Sequence, residues 1–421
     1  MRRVIGSLLV VLTAASQAAA QAPAGKAVTF DEAVEQAVAR NPTVAQAATS
    51  VARAEAILSQ ARSLLRPQVS ARVESVTLDT ETAFDAGVIQ PRHQMTFGGT
   101  LTVPLLALAR RSTTEQARDQ VEVATLSGDE VRRQIAVAAA QAYLAIISAR
   151  RQVEVEARAL ENAQAHLDYA QRRFEGGVGS RLNMVRAAQA AAGEEARLEN
   201  VRLALRQSQE ALGVLLAEDG PIDAADEPAL DTPAAIDESA WMTARPDLVV
   251  QAARIRAAER IVRDSWKDVS PFAEASFDPQ YVTPAGLFQP SRTWRLTISV
   301  SQPVFQGGLQ RAVKREREIL FDQSKIVLTE LEIRARSEVR LAQASLASLE
   351  RSLGSARRAA EQADEVLRIT TTAFEVGATT NLEVIDAQRS ARDAGTTVTV
   401  AQDAVQRARL DLLVAIGRFP R

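Results

Sequence analysis

The chain has 421 residues, with 50 basic and 52 acidic side chains, no cysteine and only two histidines. This composition excludes a disulfide framework, a thiol nucleophile and a thiolate metal site, and near-neutral charge without a basic block argues against nucleic-acid binding. An apolar fraction of 46% with only 4% aromatics is typical of alanine-rich helices that pack closely. We therefore expect no metal, no cofactor and no nucleic-acid partner.

Residues 1–20 have the pattern of a cleavable signal peptide. Arg2 and Arg3 make a basic start, 4–15 is mostly apolar, and 18–20 offers small residues for cleavage. The alternative is an N-terminal membrane anchor, but the apolar stretch is too short to cross a hydrocarbon core of about 30 Å. We expect an exported protein, and no later apolar run predicts a spanning helix.

The chain repeats itself after about 200 residues. Asn-Pro at 41–42 returns as Arg-Pro at 245–246, and 174–187 aligns without gaps to 374–387, with identical residues at five positions. A tandem duplication explains why these features keep their order. The predicted divisions are a first repeat at 21–217, a linker or equatorial segment at 218–240 and a second repeat at 241–421. Three prolines and many acidic residues in 218–240 indicate that this segment is exposed.

Each repeat is predicted to begin with helix, at 30–66 in the first and at 246–267 in the second. Thr29 and Glu32 form a capping-box pattern that starts a helix. Pro42 suits the first position of the helix that follows.

Segments that alternate between apolar and polar residues come next, at 68–104 and 270–303. Each contains two strands with one apolar and one polar face. We expect Pro104 and Pro303 to end the second strand of each pair, and a turn-rich loop to occupy 79–93.

Strands of this kind fit either a soluble sandwich or a membrane barrel that is apolar toward lipid and polar toward water. Each predicted strand has roughly 9–12 residues, the length that a tilted strand needs to cross a bilayer. Four strands cannot close a barrel, and open edges are not tolerated in lipid. The membrane interpretation therefore requires several chains, and a trimer would supply twelve strands.

Very long helices complete each repeat, at 111–217 and 310–417, each interrupted by one glycine-containing turn. The stretches 111–174 and 310–374 contain no proline. Some 64 helical residues extend about 95 Å, which far exceeds the diameter of a compact domain. Alanine along the apolar stripes permits close packing of neighbouring helices.

The helix starts with proline, the Phe-x-x-Gly helix reversals and the twofold order resemble the outer membrane efflux protein family typified by TolC. The resemblance covers nearly the whole mature chain. It implies a mainly α fold with a small β part, in which duplicated long antiparallel helices form a trimeric α-barrel tunnel. It also implies that the four strands of each chain contribute to a 12-stranded transmembrane β-barrel.

The function implied by this resemblance is an exit duct in the outer membrane of a Gram-negative bacterium, with a periplasmic extension, for tripartite efflux or type I secretion. The implied partners are two further copies in a homotrimer, outer-membrane lipid, a periplasmic adaptor (membrane fusion protein) and an inner-membrane pump of the RND, ABC or MFS type.

Resemblance to the family's gate segment assigns the periplasmic gate to Glu383 and Asp386. These residues are three positions apart and share one helix face, so three copies would form an acidic ring that favours cations. Their first-repeat counterparts are Asn183 and Arg186. We expect Arg181 or Arg186 to pair with Glu383 or Asp386 when the periplasmic mouth of the tunnel is closed. The alternative is that two acids near a helix N-terminus only favour the helix dipole.

The helix reversals are also the predicted contact for the adaptor, because the resemblance implies that the two proteins meet tip to tip. Ordinary helix reversal, which glycine alone explains, is the alternative. The candidate residues are Gly177, Val178, Gly179, Val376, Gly377 and Ala378.

Two other classes of protein compete with the channel interpretation. A soluble periplasmic coiled-coil adaptor has one helical hairpin inserted into β-rich domains, whereas this sequence predicts two hairpins and few strands. An enzyme is disfavoured because the common hydrolase, zinc-protease and phosphate-loop motifs are absent from the sequence. Of the two histidines, His166 is expected at a helix interface and His93 at the surface.

Overall fold

The computed structural model describes residues 26–233 and 236–419, so the predicted signal peptide 1–20 lies outside the described residues. The described chain is mainly helical with a small strand portion, as predicted. The helices are α1 (Phe30–Arg40), α2 (Pro42–Ser63), α3 (Leu108–Glu175), α4 (Arg181–Leu215), α5 (Glu238–Ala244), α6 (Pro246–Arg263), α7 (Leu309–Glu375) and α8 (Asn381–Ala415). The strands are β1 (Lys26–Val28), β2 (Gln68–Thr77), β3 (Thr82–Phe84), β4 (Gly87–Gln90), β5 (His93–Ala107), β6 (Ile222–Ala224), β7 (Phe272–Thr283) and β8 (Arg292–Ser301).

The helical stretch predicted at 30–66 is broken at Asn41. This residue has an extended backbone, and its side chain accepts a hydrogen bond from the Thr43 N–H at 2.9 Å. Its amide group also donates to the Leu215 carbonyl oxygen at 2.9 Å. Asn41 therefore caps α2, which begins at Pro42, and ties it to the end of α4.

The helix predicted at 246–267 is shorter than expected. Regular α-helix ends at Arg263, and Asp264–Val269 continues as a 3-10 helix. Tightening of the last turns in this way is common at helix ends, and it leads directly into β7.

One antiparallel sheet combines the strands of both repeats, in the order β2-β5-β7-β8. Pro104 does not end β5 as predicted, because the strand continues to Ala107 with a register shift between Pro104 and Leu106. An irregularity of this kind accommodates a proline within a sheet. The predicted loop 79–93 instead contains the small hairpin formed by β3 and β4. The corresponding strand of the second repeat, β8, ends at Ser301, two residues before Pro303, which was expected to end it.

The register of the sheet separates its two faces. Val73 pairs with Phe97, and Phe97 pairs with Tyr281, so these three side chains share the apolar face. On the opposite face the Thr100 hydroxyl donates to the Asp278 carboxylate at 2.7 Å, and Asp278 pairs with Arg295. Strand pairing thus confirms the predicted division into an apolar and a polar face.

The long helices lie beside one another in a single layer that continues from the sheet. Toward the sheet, α3 contacts α2 and α6, and α6 contacts α7. Toward the helix reversals, α3 contacts α4 and α8, and α8 contacts α7. The layer therefore has two lateral edges, formed by α2 and α4 on one side and by α7 on the other. α3 begins at Leu108, immediately after β5, and not at the predicted 111.

The main hydrophobic core, called the equatorial core here, lies where the middle of α3 meets the ends of α4 and α8. It also takes in the linker, since β6 pairs in parallel with β1 and Ile222, Ala224 and Leu230 are buried. The exposure expected from the composition of 218–240 is therefore wrong for this part of the segment, which belongs to the core. The largest fully buried side chains of this core are Tyr143, Ile146, Leu212, Leu216 and Leu410.

Among the described residues, no helix carries a stretch that is both long enough and apolar enough to span a bilayer.

Candidate functional site

The two helix reversals have closely similar backbone structures. Gly177 and Gly377 adopt left-handed conformations with φ of +75° and +80°, and their N–H groups donate to the carbonyl oxygens of Phe174 and Phe374 at 3.0 and 3.1 Å. This arrangement satisfies carbonyl groups at the helix ends. It explains why the same Phe-x-x-Gly pattern occurs in both repeats.

The residues proposed to contact an adaptor lie at these reversals. Val178 and Val376 are 72% and 78% exposed, which is unusual for valine and leaves two apolar tips in contact with solvent. Gly179 is half-buried, and a side chain there would lie 2.8 Å from the backbone nitrogen of Phe174. The valines are thus available to a partner, whereas Gly179 is required by the turn itself.

The first turns of α4 and α8 place the gate candidates at equivalent positions. The hydroxyl oxygens of Ser180 and Thr380 accept hydrogen bonds from the N–H groups of Asn183 and Glu383 at 3.2 and 3.4 Å. Asn183 and Glu383 are therefore counterparts in the structure, as the sequence alignment predicts. The carboxylate of Glu383 also lies in the first turn of a helix, where the dipole favours negative charge.

Both gate acids are exposed on one face of α8, while Val384 and Ile385 between them are buried. Arg181 and Arg186 are exposed on α4. Within the described part of a single chain, none of these four charged residues forms an ion pair. The predicted pairing of either arginine with Glu383 or Asp386 is therefore not formed inside one chain, because the acids face away from the interior.

A buried histidine connects the two helical hairpins, the first formed by α3 and α4 and the second by α7 and α8, near the reversals. Nε2 of His166 on α3 lies 2.6 Å from Oδ1 of Asn381, the first residue of α8. The imidazole ring packs at 5.2 Å from the ring of Phe374, between ring centroids. Burial lowers the pKa of His166, and the hydrogen bond to Asn381 opposes this shift. The expected helix-interface location of His166 is confirmed, but its partners could not be read from the sequence.

A buried ion pair forms a second connection about three helical turns further from the reversals. Arg392 on α8 donates to the carboxylate of Glu194 on α4 at 2.5 Å, and both side chains are at least 90% buried. Glu156 on α3 is also buried here. Burial raises its pKa, with the charge of Arg392 opposing and that of Glu194 adding to the shift. Sequence analysis missed this cluster, although an arginine among small apolar residues of α8 is a possible signal.

Close helix packing accompanies the ion pair. A side chain at Gly395 would place its Cβ 3.3 Å from Val155, so α8 approaches α3 closely at this level. A cavity of about 180 Å³ remains beside the pair, and Glu194 and Arg392 both line it. Between the equatorial core and the reversals, the two hairpins are thus joined by close helix packing and a few buried polar contacts.

The family described as "Outer membrane efflux protein" matches residues 33–218 and 241–418. The chain belongs to this family.

Two curated relatives come from Pseudomonas aeruginosa. The pyoverdine export outer membrane protein OpmQ is 24% identical over 359 residues, which cover 80% of this chain and 69% of the relative. Outer membrane protein OprJ is 24% identical over 329 residues, which cover 74% and 65%. This chain thus spans about two thirds of the length of either relative.

Solved structures share the fold at lower identity. The CusC channel has a TM-score of 0.80 and 18% identity, with 93% of each chain covered. The CmeC outer membrane channel of Campylobacter jejuni has a TM-score of 0.79 and 15% identity, with 92% of this chain and 85% of that one covered.

Family membership decides the main question of function. The protein is an outer membrane efflux protein, and its family consists of channel proteins, which are not enzymes. Family members are the outer membrane components of tripartite systems that also contain an adaptor and a pump. This favours the channel interpretation over that of a soluble periplasmic adaptor.

Proposed function

We propose that the protein works as a homotrimeric exit duct, passively conducting cargo from an inner-membrane pump of the RND, ABC or MFS type across the periplasm and the outer membrane. The four-stranded sheet is the observation that carries this proposal. Among the residues that the structure describes, nothing in one chain covers its apolar face or either of its edges. A sheet of this kind is stable in a membrane only when further strands close it.

The apolar face of the sheet fits contact with outer-membrane lipid. Leu296, Ile298 and Val300 alternate along β8 and are 60%, 66% and 69% exposed. Trp294 is 70% exposed and packs on Phe277 at 6.0 Å, between ring centroids. Aromatic side chains at the borders of an apolar band are typical of membrane barrels.

The same arrangement supports closure by three copies. β2 and β8 are the free edges of the sheet, and α2 with α4 and α7 are the free edges of the helix layer. Joining unlike edges of successive copies is a head-to-tail association that closes into a ring. Three copies then give twelve strands, enough for an aqueous lumen.

A row of exposed isoleucines on α7 supports this closure. Ile319, Ile326 and Ile333 recur every seven residues and are 53%, 69% and 60% exposed. Such a repeat forms the contact seam of a coiled coil, and Ile57 on α2, the opposite edge on the side of the sheet, is also exposed. We propose that these surfaces meet between neighbouring copies.

Native mass spectrometry of the detergent-extracted protein tests the oligomeric state. The expected species has three times the mass of the mature chain. Substituting the seam, as in Ile326→Asp/Ile333→Asp, should shift the distribution to monomer. The matched variant Glu330→Ala/Arg334→Ala, which removes an exposed pair from the same helix, should remain trimeric. A stable monomer that still conducts ions would contradict the proposal.

At the far end of the tunnel, we propose that Glu383 and Asp386 form the acidic ring of the periplasmic gate. The first two turns of α4 contain Arg181, Asn183 and Arg186. In the trimer these residues of one copy would meet Glu383 and Asp386 of an adjacent copy. The adaptor would dock on the two reversals, chiefly through the exposed tips Val178 and Val376. The remaining candidates shape the turns: Gly177, Gly179, Gly377 and Ala378.

Conductance through planar bilayers tests the gate. Glu383→Ala/Asp386→Ala should raise conductance and weaken cation preference, because it removes carboxylates from a narrow opening. Glu361→Ala/Glu365→Ala removes equal charge from exposed positions on α7 and should leave both properties unchanged. The gate assignment fails if the two double variants behave alike.

A further inference from the structure

The contact between His166 and Asn381 joins α3 of the first helical hairpin to α8 of the second. Opening the periplasmic mouth of the proposed duct requires these two hairpins to move relative to each other. We propose that His166 is a positioning residue for the gate: in its neutral form it holds the first turn of α8 against the first hairpin, and protonation releases that turn. The inference rests on the proposed channel function, because the released turn carries Glu383 and Asp386.

Asn381 transmits the position of His166 to the gate acids. It is 3% exposed and is the first residue of α8, two positions before Glu383. Oδ1 faces Nε2 of His166 at 2.6 Å, and the amide group donates to the Asn183 carbonyl oxygen at 3.5 Å. One side chain therefore links α8 to both helices of the first hairpin.

Aromatic contacts strengthen the connection on the side of α7. Phe374, which is buried, lies between His166 and Tyr169, with centroid distances of 5.2 and 5.7 Å. The guanidinium of Arg173 lies 5.9 Å from the Phe374 ring centroid, and the Tyr169 hydroxyl donates to the Glu375 carbonyl oxygen at 3.3 Å. All of these contacts join α3 to the end of α7. They therefore attach both helices of the second hairpin, and not α8 alone, to the first hairpin.

Charged groups occur on every element around His166, but its pKa reflects burial and not their charges. They are Arg173 on α3, Arg186 on α4, Glu375 on α7, and Glu383 on α8. Burial lowers the pKa of His166 and the hydrogen bond that its ring donates to Oδ1 of Asn381 raises it, without a contribution from any of these charges.

The direction of the pH effect follows from this lowered pKa. An imidazole hydrated in an open mouth binds its proton at a higher pH than the buried imidazole of the closed mouth. Between these two pKa values the open state binds more protons, so acidification favours opening and the closed state is recovered as pH rises. Each unit of difference between the pKa values changes the ratio of open to closed mouths about tenfold.

The test compares open times in planar bilayers at pH 7.5 and pH 5.0. Wild type should show a several-fold increase at pH 5.0, and His166→Gln, which keeps a side-chain N–H donor but does not titrate, should lack it. His93→Asn is the matched control, because His93 is the only other histidine and lies at the start of β5; it should retain the increase. Glu383 and Asp386 are present in every variant, so the acidic ring is the same in all of them.

A second measurement does not depend on conduction. The chain has no cysteine, so spin labels can be attached at Val178→Cys and Val376→Cys alone, in labelled chains diluted with unlabelled ones. The distance between the tips should lengthen or broaden at pH 5.0 in an otherwise wild-type background and remain unchanged with His166→Gln.

These readouts separate the two proposals. A distance change that depends on His166 without any channel current would preserve the positioning role and count against the proposed duct. A pH response of distance and current that persists in His166→Gln, or no response in wild type, would overturn the role of His166.

Discussion

The equatorial core and the four-stranded sheet differ in how far a single chain buries their side chains. In the core, Tyr143 is fully buried, its ring packs edge-on against Phe30, and its hydroxyl donates to the Asp226 carboxylate at 2.6 Å. In the sheet, β8 is exposed along its whole length. The core is thus completed within one chain, whereas the sheet presents surfaces that only other molecules can cover.

The polar groups of the two regions also differ in whether they find hydrogen-bond partners within one chain. The Tyr143 hydroxyl also accepts the Asp226 N–H at 3.1 Å, and burial, together with the hydrogen bond to Asp226, raises the pKa of Tyr143 to about 12. At the sheet edges, backbone groups of β2 and β8 have no strand partner on one side. This contrast teaches that a single chain can organise its equator before assembly, while its membrane end depends on assembly and lipid.

The largest effect is expected in the equatorial core. Tyr143→Ala should lower the free energy of unfolding by about 3–5 kcal/mol, because it leaves a cavity and removes the partner of Asp226. Phe288→Ala, at a side chain that is 79% exposed, should change it by less than about 0.5 kcal/mol. Urea titration followed by circular dichroism measures both. Equal effects would show that the equator is not the main core.

Removing Arg392 should have the next largest effect. Arg392→Ala removes the buried partner of Glu194 and leaves its carboxylate to the half-exposed Arg197 alone. It should cost up to about 3 kcal/mol, since a buried charge that loses its buried partner is strongly destabilising. Arg368→Ala breaks an exposed pair with Glu365 and serves as the control, for which no measurable change is expected. If the two arginines gave similar urea midpoints, the ion pair would not join the hairpins as described.

A charge on the sheet should distinguish its two faces. Leu296→Arg on the apolar face should destabilise the folded, membrane-inserted protein by about 2–4 kcal/mol. Thr297→Arg, on the adjacent residue that faces the polar side, should have a much smaller effect. Refolding into lipid vesicles at increasing urea concentration provides the measurement. A larger cost for Thr297→Arg would reverse the assignment of the faces.

The smallest effect is expected at Asn41, where α2 of the first repeat is tied to the end of α4. Asn41→Ala removes the cap of α2 and the hydrogen bond to Leu215, and should cost about 0.5–2 kcal/mol. Asn200→Ala, at an exposed position on α4, should be close to neutral. A neutral Asn41→Ala in the same urea titration would mean that Pro42 alone is sufficient to start the helix.

Local signals were the best guides to this fold. Thr29 and Glu32 form the predicted capping box, and glycine adopts a left-handed conformation at both reversals. These features depend on residues a few positions apart, so a single sequence contains all the required information. The alternation of β8 was similarly informative, because its period directly determines which side chains share a face.

Features that depend on distant residues were missed or misjudged. Ile222 is buried only because β6 pairs with β1, nearly two hundred residues earlier in the chain. Pro104 remains within β5 because the irregular pairing with β7 accommodates it. Neither contact leaves a local pattern, and the acidic, proline-rich composition around Ile222 suggested exposure.

The sequence by itself determined the duplication, the long helices with their glycine reversals, the two-faced strands and the family resemblance, since each follows from periodicity or from short spacings. Only the tertiary structure decided which elements of the two repeats become neighbours: β5 beside β7, Arg392 beside Glu194, and His166 beside Asn381. Such pairings depend on how the chain returns upon itself over some two hundred residues. For the same reason, the gate acids Glu383 and Asp386 could be placed on one helix face from their spacing, whereas the buried contact that holds their helix required the structure.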